Sequence, residues 1–180
     1  MKDDFLWVEK YRPTHIEHCI LPKDIKDTFQ SFVKKGEVPN LLLCGTAGIG
    51  KTTIAKALCN EIGVDSYMIN GSDEGRFLDT VRNSAKQFAS TVSLTSSSKH
   101  KVIIIDEADN TTHDVQLLLR ASIEEFQKNC RFIFTCNFKN KIIEPLHSRT
   151  TVIDCNVRGK NKQQLAAQFF ERCRGILTAE

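Results

Sequence analysis

The stretch LLLCGTAGIGKT, Leu41–Thr52, decides the fold. Its apolar start, LLLC, predicts a buried strand, and the remainder, GTAGIGKT, fits the pattern G-x-x-x-x-G-K-[ST]. The glycines of this pattern are Gly45, Gly48 and Gly50. Glycine lets the backbone wrap closely, so that successive N–H groups point at phosphate oxygens, and the start of a following helix favours the same anion. The stretch therefore predicts a phosphate-binding loop between a strand and a helix.

Lys51 and Thr52 complete the predicted phosphate site. Lys51 adds a positive charge on the outer phosphates of a nucleotide, and Thr52 offers a hydroxyl to Mg²⁺. A glycine-rich turn with an exposed lysine is the alternative interpretation. All constrained positions of the pattern and both flanking elements agree with the phosphate loop. We therefore expect ATP and Mg²⁺ as ligands.

Outward from the loop, short apolar runs alternate with amphipathic stretches. VIIID, Val102–Asp106, is the strongest strand, because it is continuously apolar, as expected when both faces of a strand are covered. The other predicted strands are 41–44, 66–69, 131–136 and 151–154, and the predicted helices are 24–35, 52–62, 74–89 and 114–128. Five strands alternating with helices favour an α/β fold, a parallel sheet between two helix layers.

An acidic pair follows the strongest strand in VIIIDE. We expect Asp106 to hold Mg²⁺, through water, and Glu107 to orient and polarise the attacking water. An aspartate after an apolar strand is often only a turn residue, but the phosphate loop favours the catalytic interpretation. Asn137 ends the next strand, where its amide could hold that water or sense the terminal phosphate. A turn asparagine is the alternative at this position.

Composition excludes several classes of protein. The 180 residues suffice for about one domain, 41% are apolar, and no apolar run approaches the length of a membrane span. The N-terminus has no secretory pattern, so we expect a cytoplasmic protein, in the host cytoplasm if the source is viral. The seven cysteines are scattered, which predicts buried reduced thiols and not zinc ligands or disulfides. The net charge of +3 is too small to indicate nucleic-acid binding by itself.

Taken in order, these motifs resemble those of an AAA+ P-loop ATPase, specifically the sliding-clamp-loader subunits of the replication factor C small-subunit family. The similar segments are WVEKYRP (7–13), GTAGIGKTT (45–53), NGSD (70–73), IIIDEAD (103–109), the last residue of FTCN (134–137) and SRT (148–150). CILP, 19–22, and the compact spacing are most similar to the large subunit of T-even-type bacteriophage clamp loaders. The family commonly has SRC where this chain has SRT, a change that follows the arginine and swaps one small residue for another.

The resemblance implies the remaining site residues. The residues expected to contact nucleotide are Val8, Tyr11, Arg12, Ile20, Gly45, Gly48, Ile49, Gly50, Lys51, Thr52 and Thr53. Asn70 matches a residue that restrains the catalytic glutamate until DNA is bound. Gln116 matches one that couples neighbouring sites, and Arg120 lies one turn later. Arg149 matches an arginine finger that acts in trans, inside the ATP site of the neighbouring subunit.

The resemblance also implies partners and a domain boundary. The positive residues of the helix predicted at 74–89 are Arg76, Arg82 and Lys86; they are either a solvated face or, as the resemblance implies, contacts to DNA phosphates. The segment 114–118 is expected to touch the sliding clamp, and exposed Leu117 is either incidental or a subunit contact. We expect a nucleotide-binding domain at 1–157 and the truncated beginning of a helical lid at 158–180.

The sequence thus predicts an ATPase subunit of a clamp loader, which loads a sliding clamp onto primer-template DNA. Its expected partners are like ATPase subunits in a ring, a further clamp-loader subunit, the clamp and the DNA, with no membrane. Two alternatives stay open. One is another AAA+ DNA-remodelling ATPase, such as a branch-migration motor or helicase loader. The other is a nucleotide-binding structural subunit without turnover, which the presence of Lys51, Glu107 and Asn137 disfavours.

Overall fold

A computed structural model describes residues 6–72, 80–91, 100–157 and 159–179. Its centre is a five-stranded sheet with the strand order β2-β3-β4-β1-β5, in which every neighbouring pair is parallel. The strands are β1 (Leu41–Cys44), β2 (Ser66–Asn70), β3 (Lys101–Asp106), β4 (Cys130–Cys136) and β5 (Thr151–Asp154). The predicted parallel sheet is confirmed, and each predicted strand boundary lies within one residue of the observed one.

Seven α-helices lie in the described residues. They are α1 (Trp7–Lys10), α2 (Lys23–Lys35), α3 (Lys51–Ile62), α4 (Lys86–Ser90), α5 (His113–Glu125), α6 (Glu144–His147) and α7 (Lys162–Ala179). A π-helical turn, Thr80–Ala85, leads into α4; the first part of the helix predicted at 74–89 lies outside the described residues. Gly36 ends α2 in the left-handed region, at φ 66°, a conformation that glycine adopts readily.

Helix α5 ends earlier than the predicted boundary at residue 128. The amides of Asn129 and Cys130 both donate to the carbonyl of Phe126, at 3.0 and 2.9 Å. These bonds close a turn directly before β4, and Phe126 packs against the core from that turn. Tertiary packing of the aromatic ring therefore replaces the last helical turn that the sequence pattern suggested.

Alternate residues of the central strands pack on opposite faces of the sheet. On one face Ile103 and Phe132 pack against buried residues of α4 and α5. On the other face Ile104 and Ile133 pack against residues of α2 and α3. The predicted three-layer α/β sandwich is confirmed, and the continuous apolar character of β3 follows from burial on both sides.

The topology brings the ends of three strands together. Strand β1 lies between β4 and β5. After β1 the chain forms β2, β3 and β4 on one side of it and then β5 on the other side. In parallel sheets, ligands bind outside the carboxyl ends of the strands at such a switch point. The phosphate loop follows β1, the acidic pair ends β3, and Asn137 follows β4. No described helix is both long enough and apolar enough to cross a membrane.

All seven cysteines lie in described segments and are free thiols, six of them buried and Cys173 half-buried. Burial raises the pKa of Cys19 to about 11 and that of Cys59 to about 12. Thiols with such pKa values are protonated and unreactive at neutral pH. The predicted burial is confirmed for six of the seven cysteines.

Candidate active site

The phosphate loop wraps from β1 into α3. Gly45 adopts φ 152°, a conformation that is strained for residues with a side chain. Gly50 caps α3 in the left-handed region, at φ 87°, where other residues are strained. The helix therefore starts directly at the loop, and its first N–H groups face the space above β1.

Lys51 is held above the sheet, with 8% of its surface exposed. Its ammonium donates to the carbonyls of Gly45 and Thr46, both at 2.8 Å, and to Asn137 Oδ1 at 2.9 Å. Lys51 thus connects the loop after β1 to the side chain of Asn137, which follows β4. Two residues that the sequence assigned separately to phosphate binding and catalysis are in direct contact.

Thr52 and Asp106 also meet. The Thr52 hydroxyl donates to Asp106 Oδ1 at 2.7 Å, and Thr135 of β4 donates to the same oxygen at 2.7 Å. The Thr135 hydroxyl in turn accepts from the Glu107 amide at 3.0 Å. Sequence analysis did not identify Thr135, because its role comes from the register of β4 beside β3 and from no local motif.

Glu107 adopts φ 53°, the one positive φ of a non-glycine residue in the described part of the chain. Such backbone strain occurs mainly at functional sites. Its carboxylate accepts from Asn110 Nδ2 at 3.2 Å and from the hydroxyl of Ser72. Asn70 Oδ1 accepts from the Ser72 backbone amide at 3.0 Å, so Asn70 holds Ser72 in place beside Glu107. Sequence analysis singled out Asn70 within NGSD but missed Ser72 two residues later.

Asp109 is a further residue that sequence analysis missed. It is 4% exposed, and its Oδ2 accepts from the backbone amides of Asn137 and Phe138, at 3.2 and 3.0 Å. Its other oxygen is buried without a hydrogen-bond partner among the described residues. The carboxylate fixes the backbone that carries Asn137. Asp109 is the last residue of the segment DEAD, 106–109, in which sequence analysis assigned roles only to Asp106 and Glu107.

Two cavities join at this site. The smaller, of about 260 Å³, is lined by Lys51, Thr52, Asp106, Glu107 and Asn137, among others. The larger, of about 600 Å³, is mostly apolar and shares Arg12, Gly48, Gly50 and Thr53 with the smaller one. The other predicted nucleotide contacts that line the larger cavity are Val8, Tyr11, Ile20 and Ile49. The size and lining suit a nucleoside attached to phosphates in the smaller cavity.

Arg12 lies where the cavities join. Its Nη1 donates to Thr53 Oγ1 at 3.1 Å, and its Nε donates to Glu9 at 3.0 Å. The hydrogen bond from Arg12 lowers the pKa of Glu9. Helix α7 closes this side of the cavity, because Arg172 donates to the Tyr11 carbonyl at 2.9 Å. Arg172 also lines the larger cavity and was not identified from sequence.

The predicted coupling residues lie on α5. Gln116 is 2% exposed; its amide donates to the Lys141 carbonyl at 3.0 Å and accepts from the Ile143 amide at 2.9 Å. It therefore ties α5 to the segment before α6. Arg120 is half-buried, with Nη2 3.9 Å from Glu124 Oε2. Leu117 is 40% exposed, whereas its neighbours Val115 and Leu119 are buried in the core.

Arg149 is not among the described residues that line the two cavities. Its guanidinium is bound to Glu124 of α5, and its side chain is about one-third exposed. Of the predicted DNA contacts, Lys86 lies on α4 with Nζ 3.3 Å from Glu125 Oε1. Arg76 and the side chain of Arg82 lie outside the described residues.

The chain is similar to one protein family and to several curated proteins. A model of the ATPase family associated with various cellular activities (AAA) matches residues 41–155. A replication factor C small subunit from Methanoculleus marisnigri is 45% identical over 152 residues, 82% of this chain and 47% of that protein. A sliding-clamp-loader large subunit from Escherichia phage RB69 is 46% identical over 148 residues, 81% of this chain and 45% of that protein. The chain spans about half the length of these curated relatives.

Among solved structures, the Holliday junction branch migration motor RuvB of Thermotoga maritima has a similar fold. The TM-score is 0.66 at 21% identity, covering 88% of this chain and 53% of that chain. A likeness at this identity shows the shared fold and carries no information on substrate.

Proposed function

The chain belongs to the ATPase family associated with various cellular activities (AAA), and from this premise we propose that it is the ATPase subunit of a sliding-clamp loader. It uses ATP binding and hydrolysis to load the clamp onto primer-template DNA. The observation that carries the proposal is the meeting of Lys51, Thr52, Asp106, Glu107 and Asn137 around one cavity. The names of two relatives that are 45% and 46% identical support the choice of a clamp loader within the family.

Phosphate binding is assigned to the loop and Lys51. The ammonium donates to two neutral carbonyls and one amide oxygen. A phosphate oxygen carries charge and is the stronger acceptor, so it competes for these N–H groups. When Lys51 turns to the phosphate, its bond to Asn137 changes. Nucleotide binding at the loop after β1 is thereby linked to the residue that follows β4. Val8, Tyr11, Arg12 and Ile20 surround the base and ribose, with Thr53 beside Arg12.

The donor set at Thr52 and Asp106 fits Mg²⁺. A hydroxyl and a carboxylate 2.7 Å apart supply hard oxygen ligands, and the described residues contain no cluster of three or more acidic, histidine or cysteine ligands. Mg²⁺ usually keeps several waters and takes phosphate oxygens as further ligands, so a sparse protein contribution suits it. The ion, when bound, neutralises charge that develops on the phosphates.

Glu107 is the proposed general base. Its carboxylate takes a proton from the water that attacks the terminal phosphate, while Asn137 holds that water or senses the phosphate. Ser72 donates to the same carboxylate that must receive the proton. Ser72, together with Asn70 behind it, therefore restrains Glu107 until DNA binding changes this end of the sheet.

The proposal extends to partners. Like subunits form a ring in which Arg149 stabilises charge in the neighbour's site, and Gln116 and Arg120 couple the sites. A further clamp-loader subunit, the clamp at 114–118, and DNA at Arg76, Arg82 and Lys86 complete the assembly. Residues 1–157 form the nucleotide-binding domain, and 158–180 begin the lid. The proposed location is the cytoplasm, that of the host if the source is viral.

DNA structure tests this function. The assembled complex is mixed with ATP, the clamp, and either primer-template DNA or a four-way junction. We expect ATP turnover to rise at least about tenfold with clamp and primer-template DNA and to respond weakly to the junction. A complex that the junction activates and primed DNA does not would be a branch-migration motor. No turnover under either condition would indicate a nucleotide-binding structural subunit.

A further inference from the structure

The guanidinium of Arg149 is held by its own chain through all three nitrogens. Nε and Nη2 both donate to Glu124 Oε1, at 2.9 and 2.6 Å. Nη1 donates to the Pro145 carbonyl at 3.0 Å and to Ser148 Oγ at 3.2 Å. Four of the five N–H groups of an arginine are accounted for by these bonds. The plane of the guanidinium is fixed, and one N–H of Nη2 is left for an acceptor outside this set.

Glu124 also separates two positive side chains. Arg120 Nη2 is 3.9 Å from Glu124 Oε2, while Arg149 binds Oε1. The hydrogen bond from Arg149 is the main cause that lowers the pKa of Glu124. Without the carboxylate, Arg149 would lose the acceptor of Nε and Nη2 and would keep only the two bonds of Nη1. The guanidinium would then no longer be held in one orientation.

Helix α5 connects this pair to the subunit's own active site. The helix is capped by Thr112, just after the acidic pair, and Glu124 lies about 18 Å further along its axis. Gln116 on the same helix holds residues 141 and 143, which lead into α6. The segment that carries Arg149 is therefore attached to α5 at two points, one near each end of the helix.

We propose that Glu124 is a positioning residue for Arg149. Glu124 holds the Arg149 guanidinium in the orientation needed to reach nucleotide bound to a second copy of the subunit. The inference rests on the proposed function, because Arg149 acts in trans only in an assembled ring. Glu124 touches no nucleotide and acts through Arg149. The Glu124–Arg149 pair acts mainly by fixing the orientation of the guanidinium, because a surface ion pair contributes little to stability.

The test compares Glu124→Ala, Glu124→Gln and Arg149→Ala in the assembled complex. An arginine finger is worth about 10³ to 10⁵ in rate, so Arg149→Ala should lower kcat by at least about 10³. Misplacing a catalytic group by about 1 Å costs about 10², which is the loss of kcat expected for Glu124→Ala. Glu124→Gln keeps an acceptor oxygen and should lose about tenfold. The KM for ATP should stay within about twofold in all three.

A matched control and a double variant separate positioning from a structural role. Glu171 pairs with Arg174 at 3.0 Å on α7, an exposed Glu–Arg pair outside the two cavities, and Glu171→Ala should leave kcat unchanged. If Glu124 acts through Arg149, the double variant Glu124→Ala/Arg149→Ala should be no slower than Arg149→Ala.

Each result has one interpretation. Full activity of Glu124→Ala in a complex that Arg149→Ala inactivates would overturn the positioning role and leave the proposed function standing. Losses that multiply in the double variant would also overturn it, because Glu124 would then act by another route. Full activity of Arg149→Ala would remove the trans role of Arg149 itself, and with it this part of the proposed function.

Discussion

Asp109 offers the most quantitative prediction, because its contacts are buried and few. Asp109→Ala removes the acceptor of two backbone amides, at Asn137 and Phe138, from a site that is 4% exposed. A hydrogen bond to a charged group contributes about 1.5–3 kcal/mol, so two bonds set an upper range of about 3–6 kcal/mol. Removing the carboxylate also relieves the cost of burying its charge. We therefore expect a net loss of about 2–4 kcal/mol in the free energy of unfolding.

The assay is thermal unfolding together with steady-state ATP hydrolysis. For a chain of this size about 1 kcal/mol changes Tm by about 2–4 °C, so Asp109→Ala should melt about 4–16 °C lower. The loop that carries Asn137 also loses its anchor, which should lower kcat by about 10². Asp109→Asn keeps one acceptor oxygen and should show about half the loss of Tm. Asp27→Ala, at an exposed position of α2, is the control. An Asp109→Ala variant with unchanged Tm and kcat would refute the anchoring role.

Two further predictions concern the residues around Glu107. Ser72→Ala removes the hydroxyl that donates to the Glu107 carboxylate, so ATP hydrolysis without DNA should rise several-fold and its stimulation by DNA should shrink; an unchanged ratio of DNA-stimulated to basal rate would argue against restraint by Ser72. Gly71→Ala would place a Cβ 2.5 Å from the Glu107 carbonyl and 3.0 Å from the Asp106 carbonyl, and should lower kcat by at least about tenfold. Gly159→Ala, where an added Cβ meets nothing within 4 Å, is its control, and equal activity of the two variants would contradict the steric argument.

The sheet and phosphate loop were predictable because their signals are local. A strand covered on both faces is continuously apolar, as Val102–Asp106 is, and this pattern located β3 within one residue. The loop pattern predicted a helix from Thr52, and α3 begins one residue earlier, at Lys51. The predicted AAA family is confirmed by the match to residues 41–155. The roles assigned to individual site residues stay predictions.

The contacts that support the site could not be read from the sequence, because each joins residues that are distant along the chain. Thr135 reaches Asp106 only through the register of two neighbouring strands. Glu124 meets Arg149 across 25 positions, a separation that no local sequence pattern bridges. The end of α5 was misplaced for a similar reason, since the packing of Phe126 decides it. Local sequence patterns identify the strands, the helices and the reacting groups. The contacts that hold those groups in place come from tertiary packing.

The most direct test of ATP hydrolysis at this site is single-turnover kinetics of Glu107→Gln in the assembled complex. Glutamine keeps the size of the side chain but cannot accept the proton from water. The variant should bind ATP with a Kd within about twofold of the unchanged complex, while hydrolysis of bound ATP falls by at least about 10². Retention of ATP in the presence of clamp and primed DNA is the predicted result. Hydrolysis at the normal rate would contradict the assignment of this cavity as the catalytic site.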